Sequence, residues 1–318
     1  MKVTVVGAGG NVGSTVALSV AQRDFAKEVI AVDLERKEEG KTFYPSKGRA
    51  LDQWESSPIH LFDTRIKGTT DYADTANSDV CVITAGVPRR PGMSRDDLLE
   101  INANIVRSVT EQLVKYSPDT IIIVVSNPLD VMVQVAKDAS GLPYEKVMGM
   151  AGILDTARYR AFIADELDVS PKDIQALLMG GHGDSMVPLP RFTTLAGMPI
   201  THFISEERLS EIVDRTKKGG GELVGLMGTS AWYAPGAAAA QMVEAILLDQ
   251  NRIFPVCAHI DGQYGVDDLY IGVPVKLGKS GIKEVIEVEL TKEESDLMHQ
   301  SAEAVRGTLN DFKKLMNK

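Results

Sequence analysis

An α/β fold, a doubly wound parallel sheet followed by an α+β portion, is predicted by three features of the sequence. Short β-branched runs alternate with longer helical patterns through the first half, as parallel strands covered by helices require. Several of these runs end in a glycine or polar residue at the strand's C-terminal edge, where open α/β sheets place their ligands. Beyond about residue 150 the alternation is lost, and long helical patterns mix with strand runs.

In chain order, strands are expected at KVTVV, EVIAVD, TRIKGTT, DVCVITAG, TIIIVVSN and KVMGM, then at IQALLM, RIFPVCAHI, LYIGVPV and EVIEVEL. A chain of 318 residues with 44% apolar content accommodates two domains of ordinary size, and the change of pattern divides it into 1–150 and 151–318. The last segment, TKEESDLMHQSAEAVRGTLNDFKKLM, opens on Thr291 and Glu294 as a capping box. Met298, Ala302, Val305, Leu309, Phe312 and Met316 then recur at helical spacing, which predicts a docked terminal helix. GGGE at Gly219 to Glu222 and AAAA at Ala237 to Ala240 read as local packing features.

Lys and Arg total 34 against 44 Asp and Glu, and the net charge of -10 repels phosphate backbones and anionic lipid surfaces. No nucleic acid and no membrane is therefore expected as a partner. An acidic protein that handles anions must concentrate a few cations locally, so its arginines are informative. Cys81 in DVCVITAG and Cys257 in FPVCAHI offer neither a disulfide framework nor metal-ligand spacing, so both read as buried free thiols and no metal is expected. MKVTVV leads directly into glycines without the basic and long apolar regions of a signal peptide. The best apolar run, AAAAQMVEAILL, is too short to span a bilayer and is interrupted by Gln241 and Glu244. A cytoplasmic location is expected.

The stretch VTVVGAGGNVGSTVAL places Gly7, Gly10 and Gly13 in a G-x-x-G-x-x-G pattern after the first strand. A turn whose amides approach a pyrophosphate needs glycine where a Cβ would collide, and the following helix N-terminus favours negative charge. Glycines alone also suit an ordinary βα turn. Here EVIAVDL ends a second strand at Asp33, twenty residues after Gly13, placed to accept hydrogen bonds from ribose hydroxyls. The combination makes 1–150 a dinucleotide-binding domain. NAD is favoured over NADP because a carboxylate at 33 repels a 2′-phosphate. The next segment, ERKEEGKTFYPSKGRALD, reads as a long charged loop near the adenosine end, with no role assigned.

Between DVCVITAG and a long helix lies VPRRPGMSRDDLL, whose Pro88, Pro91 and Gly92 exclude regular structure. Ser94 and Asp97 form a capping pair, so the helix begins near Arg95. Arg89, Arg90 and Arg95 on one hinged flap suggest an anionic substrate, although a solvated loop with arginine tips is the commoner case. In GILDTARYRAFIADEL, Asp155 and Arg158 share a helix face, as a local ion pair also would. LMGGHGDSMVP sets His182 between glycines that leave room for a substrate at the ring. His60, His202, His259 and His299 lack such a setting and read as surface or packing residues.

GAGGNVGS, Asp33, AGVPRRPGMSRDDLL, VVSNPLD, GILDTARYR and GGHGDSMVPLP occur in that order across most of the chain. Together they resemble the lactate and malate dehydrogenase family, nearest its bacterial malate enzymes of lactate-dehydrogenase-like sequence, with a Rossmann-type first half and a substrate/catalytic second half. The glycine pattern departs from the shorter form common in that subgroup and resembles that of other malate enzymes. The resemblance implies His182 as proton donor and acceptor, oriented by Asp155, with Arg158 clamping a substrate carboxylate and Arg95 closing over the reacting carbonyl. It implies substrate and nicotinamide contacts at Asn127, and cofactor contacts at Asn102 and the backbone near Val125. Arg89 stands where a malate enzyme has arginine and a lactate enzyme glutamine, so the implied substrate is a dicarboxylate. A lactate or other 2-hydroxy acid dehydrogenase is the alternative. NAD-dependent glycosidases lack their cysteine and histidine ligands here, and a non-catalytic nucleotide sensor is disfavoured by the presence of His182, Asp155 and Arg158 together. The resemblance further implies a homotetramer, with a dimer as runner-up.

Overall fold

The structure, a computed structural model, describes residues 1–87 and 95–316, with Arg95 described by its backbone alone. Through the first half the order is β1 (Lys2–Val6), α1 (Asn11–Gln22), β2 (Glu28–Val32), β3 (Arg36–Glu38), β4 (Lys41–Phe43), α2 (Pro45–Glu55), α3 (Ser57–His60), β5 (Arg65–Thr69), β6 (Val80–Ile83), α4 (Arg95–Tyr116), β7 (Ile121–Val124), α5 (Leu129–Ser140) and β8 (Val147–Gly149). Strands β5, β2, β1, β6, β7 and β8 lie side by side in that order, all parallel. Every residue of β6 and β7 is buried, as their unbroken Val, Ile and Cys runs demand of strands covered on both faces.

The segment after Asp33 is not a loop. β3 pairs antiparallel with β4 across Glu39 and Gly40, both of which take positive φ as a tight hairpin turn requires. α2 then starts at Pro45, whose fixed φ and missing N–H suit a first helical position.

The second half continues with α6 (Gly152–Leu167), β9 (Ile174–Gln175), β10 (Leu178–Met179), β11 (Val187–Pro188), β12 (Thr194–Leu195), β13 (Met198–Pro199), α7 (Glu206–Met227), α8 (Tyr233–Leu247), β14 (Arg252–Ile260), β15 (Leu269–Gly278), β16 (Gly281–Val285) and α9 (Lys292–Met316). The single strand expected at IQALLM divides in two, because its ends find different partners: β9 pairs with β12 and β10 with β11. EVIEVEL is a strand only to Val285. Beyond it the Tyr264 hydroxyl donates to the Ile286 carbonyl at 2.7 Å and accepts from the Val288 amide at 3.1 Å.

β14, β15 and β16 pair antiparallel with one another, and Cys257 of β14 meets Gly149 of β8. One nine-stranded sheet therefore runs through both halves of the chain. The change of pattern near residue 150 marks the switch from parallel to antiparallel pairing within that sheet. At α9 the capping box forms as expected: the Thr291 amide donates to Glu294 at 2.9 Å and the Glu294 amide to the Thr291 hydroxyl at 3.2 Å. Met298, Ala302, Val305, Leu309 and Phe312 are buried and Met316 is partly so.

Strand order reverses between β1 and β6, since β2 and β5 lie on one side of β1 while β6, β7 and β8 lie on the other. The crevice outside the carboxyl ends of the strands at such a reversal is where open α/β sheets bind ligands. The glycine loop leaves β1 there, and residues 84–87 leave β6 beside it.

Candidate active site

The glycine loop is shaped by steric necessity. Gly7 takes φ +87°, and a Cβ on it would lie 2.7 Å from Thr84 Oγ1, across the strand-order reversal. A Cβ at Gly13 would stand 2.4 Å from the Gly7 carbonyl, so only glycine lets α1 approach β1 this closely. Gly10 is less constrained, its Cβ position lying 3.2 Å from the same carbonyl. Gly9 was not singled out by the sequence pattern, yet its amide donates to Asp33 Oδ2 at 2.7 Å and a Cβ there would meet that oxygen. Asp33 thus lies against the loop at the end of β2. No side chain caps the N-terminus of α1 and no acidic residue occupies its first turn, an arrangement suited to a pyrophosphate.

A second loop follows β7. The Val125 amide donates to the Ile83 carbonyl at 2.8 Å, and the Ser126 hydroxyl to the Ala85 carbonyl at 2.6 Å. Asn102, buried on α4, accepts from the Val87 amide at 2.8 Å and donates to the Asn127 carbonyl at 2.8 Å. Its amide therefore ties the ends of two loops together, inside the protein. The Asn127 side chain is left exposed on a cavity of about 750 Å³ that His182 also lines. The peptide bond between Asn127 and Pro128 is cis.

The catalytic candidates converge from separate elements. His182 Nδ1 lies 2.9 Å from Asp155 Oδ2 on α6, and Arg158 Nη1 lies 3.5 Å from Asp155 Oδ1. The Asp155 side chain is 3% exposed, that of Arg158 13% and that of His182 23%, so the carboxylate is sealed while the ring keeps an open edge. With Nδ1–H given to the carboxylate, Nε2 is the nitrogen free to exchange a proton. Burial presses the imidazole pKa down, but the charge and hydrogen bond of Asp155, joined by Asp130, outweigh both it and the opposing Arg158, leaving the pKa above its ordinary value.

Arg158 is in turn braced by α7, where a Cβ on Gly219 would come within 2.3 Å of Arg158 Cδ. Of the GGGE stretch only Gly219 is such a packing feature, since Gly220 and Gly221 have nothing near. Ala238, Ala239 and Ala240 are buried, where α8 packs against α1. Cys81 and Cys257 are buried and unpaired. His60, His202 and His299 are exposed, and His259 stacks on Tyr144 with ring centroids 3.7 Å apart.

Arg89, Arg90 and Ser94 lie outside the described residues, and Arg95 is placed only as the first residue of α4. The sequence pattern missed Asp130. One of its carboxylate oxygens accepts from the His182 amide at 3.2 Å and the other from the Cys257 thiol at 3.2 Å. In the sequence it passes for an ordinary acidic residue in a helix's first turn. Among the described residues no group of His, Cys, Asp and Glu could hold a metal ion, and no helix is long and apolar enough to cross a membrane.

Residues 1–149 match the family model described as lactate/malate dehydrogenase, NAD binding domain, and residues 153–316 match lactate/malate dehydrogenase, alpha/beta C-terminal domain. The chain is 62% identical over 315 residues to a malate dehydrogenase of Salinibacter ruber, covering 99% of this chain and 98% of that protein. The solved structure of malate dehydrogenase from Salinibacter ruber superposes with a TM-score of 0.93 at 59% identity, over 100% of this chain and 99% of that one. A lactate dehydrogenase of Cryptosporidium parvum, solved with lactic acid and nicotinamide adenine dinucleotide, superposes with a TM-score of 0.91 at 38% identity, over 100% and 98%. With matches through both halves of its length and a site of the geometry just described, the chain belongs to the lactate/malate dehydrogenase family.

Proposed function

We propose that this protein is an NAD-dependent malate dehydrogenase that reversibly oxidises (S)-malate to oxaloacetate. The observation that carries the chemistry is the 2.9 Å contact between His182 Nδ1 and the sealed Asp155 carboxylate, with Arg158 alongside. NAD suits the chain's own residues: the uncapped α1 N-terminus answers the pyrophosphate, the Gly7 to Gly13 turn keeps its backbone close to that end, and Asp33 stands at the end of β2 for the ribose. When bound, NAD supplies the acceptor for the hydride that leaves C2 of malate.

In the oxidation His182 Nε2 takes the proton of the C2 hydroxyl, and the charge that develops on the ring is met by Asp155. In the reduction the protonated ring returns that proton to the carbonyl oxygen. Arg158 offers its remaining N–H groups to the C1 carboxylate, with Arg95 closing over the reacting oxygen and Asn127 orienting the substrate. Asn102 and the backbone at Val125 shape the loops on which the cofactor rests. In this reading residues 1–150 hold the cofactor and 151–318 the substrate.

The choice of a four-carbon diacid over a lactate-type monoacid rests on Arg89, because a second carboxylate brought into a closed site needs a fixed cation. The lactate dehydrogenase of similar fold shows why the fold alone leaves that choice open. Following reduced-nicotinamide absorbance with oxaloacetate and pyruvate tests both points. Wild type should strongly prefer oxaloacetate, and Arg89→Gln should narrow the preference by about 10–150-fold, the worth of one charged hydrogen bond. A preference left unchanged would remove Arg89 from this role.

A cytoplasmic enzyme of the tricarboxylic acid cycle, assembled as a homotetramer with a dimer as runner-up, completes the proposal. Two buried free thiols accord with a reducing compartment. Leu51 on α2, Leu226 on α7 and Tyr233 on α8 are large, apolar and exposed, which supports association, and light scattering at several salt concentrations reads the state directly.

A further inference from the structure

We propose that Asp130 is a positioning residue for His182, a second carboxylate that holds the histidine's turn by its backbone and adds a negative charge beside the imidazolium. The role of His182 is taken from the malate dehydrogenase reading; the geometry around Asp130 is independent of it.

Two adjacent amides of the turn are each bound by a side chain from a distant element. The Gly181 amide donates to the Ser301 hydroxyl of α9 at 2.8 Å, and the His182 amide to Asp130 Oδ2 of α5 at 3.2 Å. Space before the histidine is equally restricted. A Cβ on Gly181 would lie 2.6 Å from Val305 Cγ2 and 2.8 Å from Ser185 Oγ, so a side chain there would force those neighbours to shift. His182 is consequently gripped at both ends, its ring by Asp155 and its backbone by Asp130.

The partners of Asp130 accord with an ionised carboxylate. Oδ2 receives an N–H and Oδ1 receives the Cys257 S–H at 3.2 Å, so both oxygens act as acceptors, as those of an ionised carboxylate do. An amide in its place would satisfy one donor and turn its own N–H groups toward the thiol. Burial leaves the carboxyl pKa above its ordinary value, with the Cys257 hydrogen bond, the His182 charge and the His182 amide offsetting only part of that rise. The charged groups around the imidazole are Asp155 and Arg158 from α6 and Asp130 from α5, with Asp184 on its own turn and Glu303 and Asp311 of α9 lining the adjoining cavity. Asp130 is the one that also holds the backbone.

Asp130→Asn keeps the size and one acceptor but removes the charge. In the full-length protein, NMR titration of the His182 ring, assigned by its loss in His182→Asn, should give a midpoint about one pH unit lower in Asp130→Asn than in wild type. Equal midpoints would overturn the proposal. In the pH profile of kcat/KM for oxaloacetate reduction, the alkaline fall should move down with that midpoint, so that activity is lost about fivefold at the old midpoint, approaches about a tenfold loss above it and recovers in acid. A loss uniform across pH would mean that the residue only supports the fold, and would also overturn it. Wild type supplies an arm free of folding effects: the Asp130 carboxyl carbon signal should report an ionised group through the His182 midpoint, and a protonated one there refutes the assignment. Should wild type fail to reduce oxaloacetate, the functional reading falls while both NMR arms still decide the role of Asp130.

Discussion

The two ends of the site are built by different means. At the cofactor end, Gly7, Gly9 and Gly13 work within a few residues of one another, and the constraint on each is a missing Cβ. At the catalytic end, the Gly181–His182 turn depends on Asp155, Asp130 and Ser301, partners brought from α6, α5 and α9. A steric rule acts over one turn of chain. A charge-assisted hydrogen bond joins whatever the fold brings together. The first end is therefore robust to changes elsewhere and intolerant of added atoms, while the second is tolerant of small shape changes and sensitive to charge.

The largest effect should come from removing the group proposed to move the proton. His182→Asn should lower kcat for oxaloacetate reduction by about 10²–10⁴-fold, the usual worth of a positioned acid–base group. NADH affinity, read by fluorescence titration, should stay within about threefold of wild type, since the two ends are built independently. Parallel loss of NADH binding would break the comparison.

The next effect reverses the pattern. Gly13→Ala adds one methyl group where the Gly7 carbonyl stands 2.4 Å away, and the helical preference of alanine over glycine, about 1 kcal/mol, cannot offset a clash with backbone. A thermal-unfolding deficit of about 1–3 kcal/mol is expected, with NADH affinity falling at least tenfold. The acid–base midpoint of the remaining activity should not move.

That contrast also explains what the sequence revealed. The β-branched runs, the capping box of α9 and the glycine loop were legible because each is decided by neighbours in the chain. His182 stood out because glycines flank it, and Asp155 with Arg158 because helical spacing aligns them. Asp130 carries no such mark, since its partners lie 52 and 127 residues away. The hairpin at β3 and β4 was hidden by charge, because its exposed strands lack an apolar alternation to read. The tie made by Asn102 between two loops was equally invisible, as an asparagine in mid-helix suggests no particular partner.

A smaller effect concerns pH. Because Asp155 and Asp130 outweigh burial and Arg158, the folded His182 pKa stands above the unfolded value of about 6.5. The ring's contribution to stability is then fully present below that unfolded value and is lost as pH rises through the folded one. Oxaloacetate reduction, which in the proposed mechanism starts from the protonated ring, should fall over the same rise, and malate oxidation should climb. Profiles of kcat/KM in both directions read the midpoint, and one below about 6.5 would contradict the two-carboxylate account of the catalytic end.

The smallest effect is expected at Gly10, and it sharpens the steric rule for the cofactor end. Its φ of -84° and ψ of 170° are open to any L-residue, so no backbone strain opposes a side chain there. A Cβ would lie 3.2 Å from the Gly7 carbonyl, a contact relieved by a shift of a few tenths of an ångström rather than by moving a helix. Gly10→Ala should accordingly change NADH affinity by less than about threefold, with a loss of at most about 1 kcal/mol in stability because alanine is a poorer N-cap than glycine. If Gly10→Ala weakened NADH binding as much as Gly13→Ala, close approach of a ligand rather than packing of α1 against β1 would be the reason for glycine at position 10.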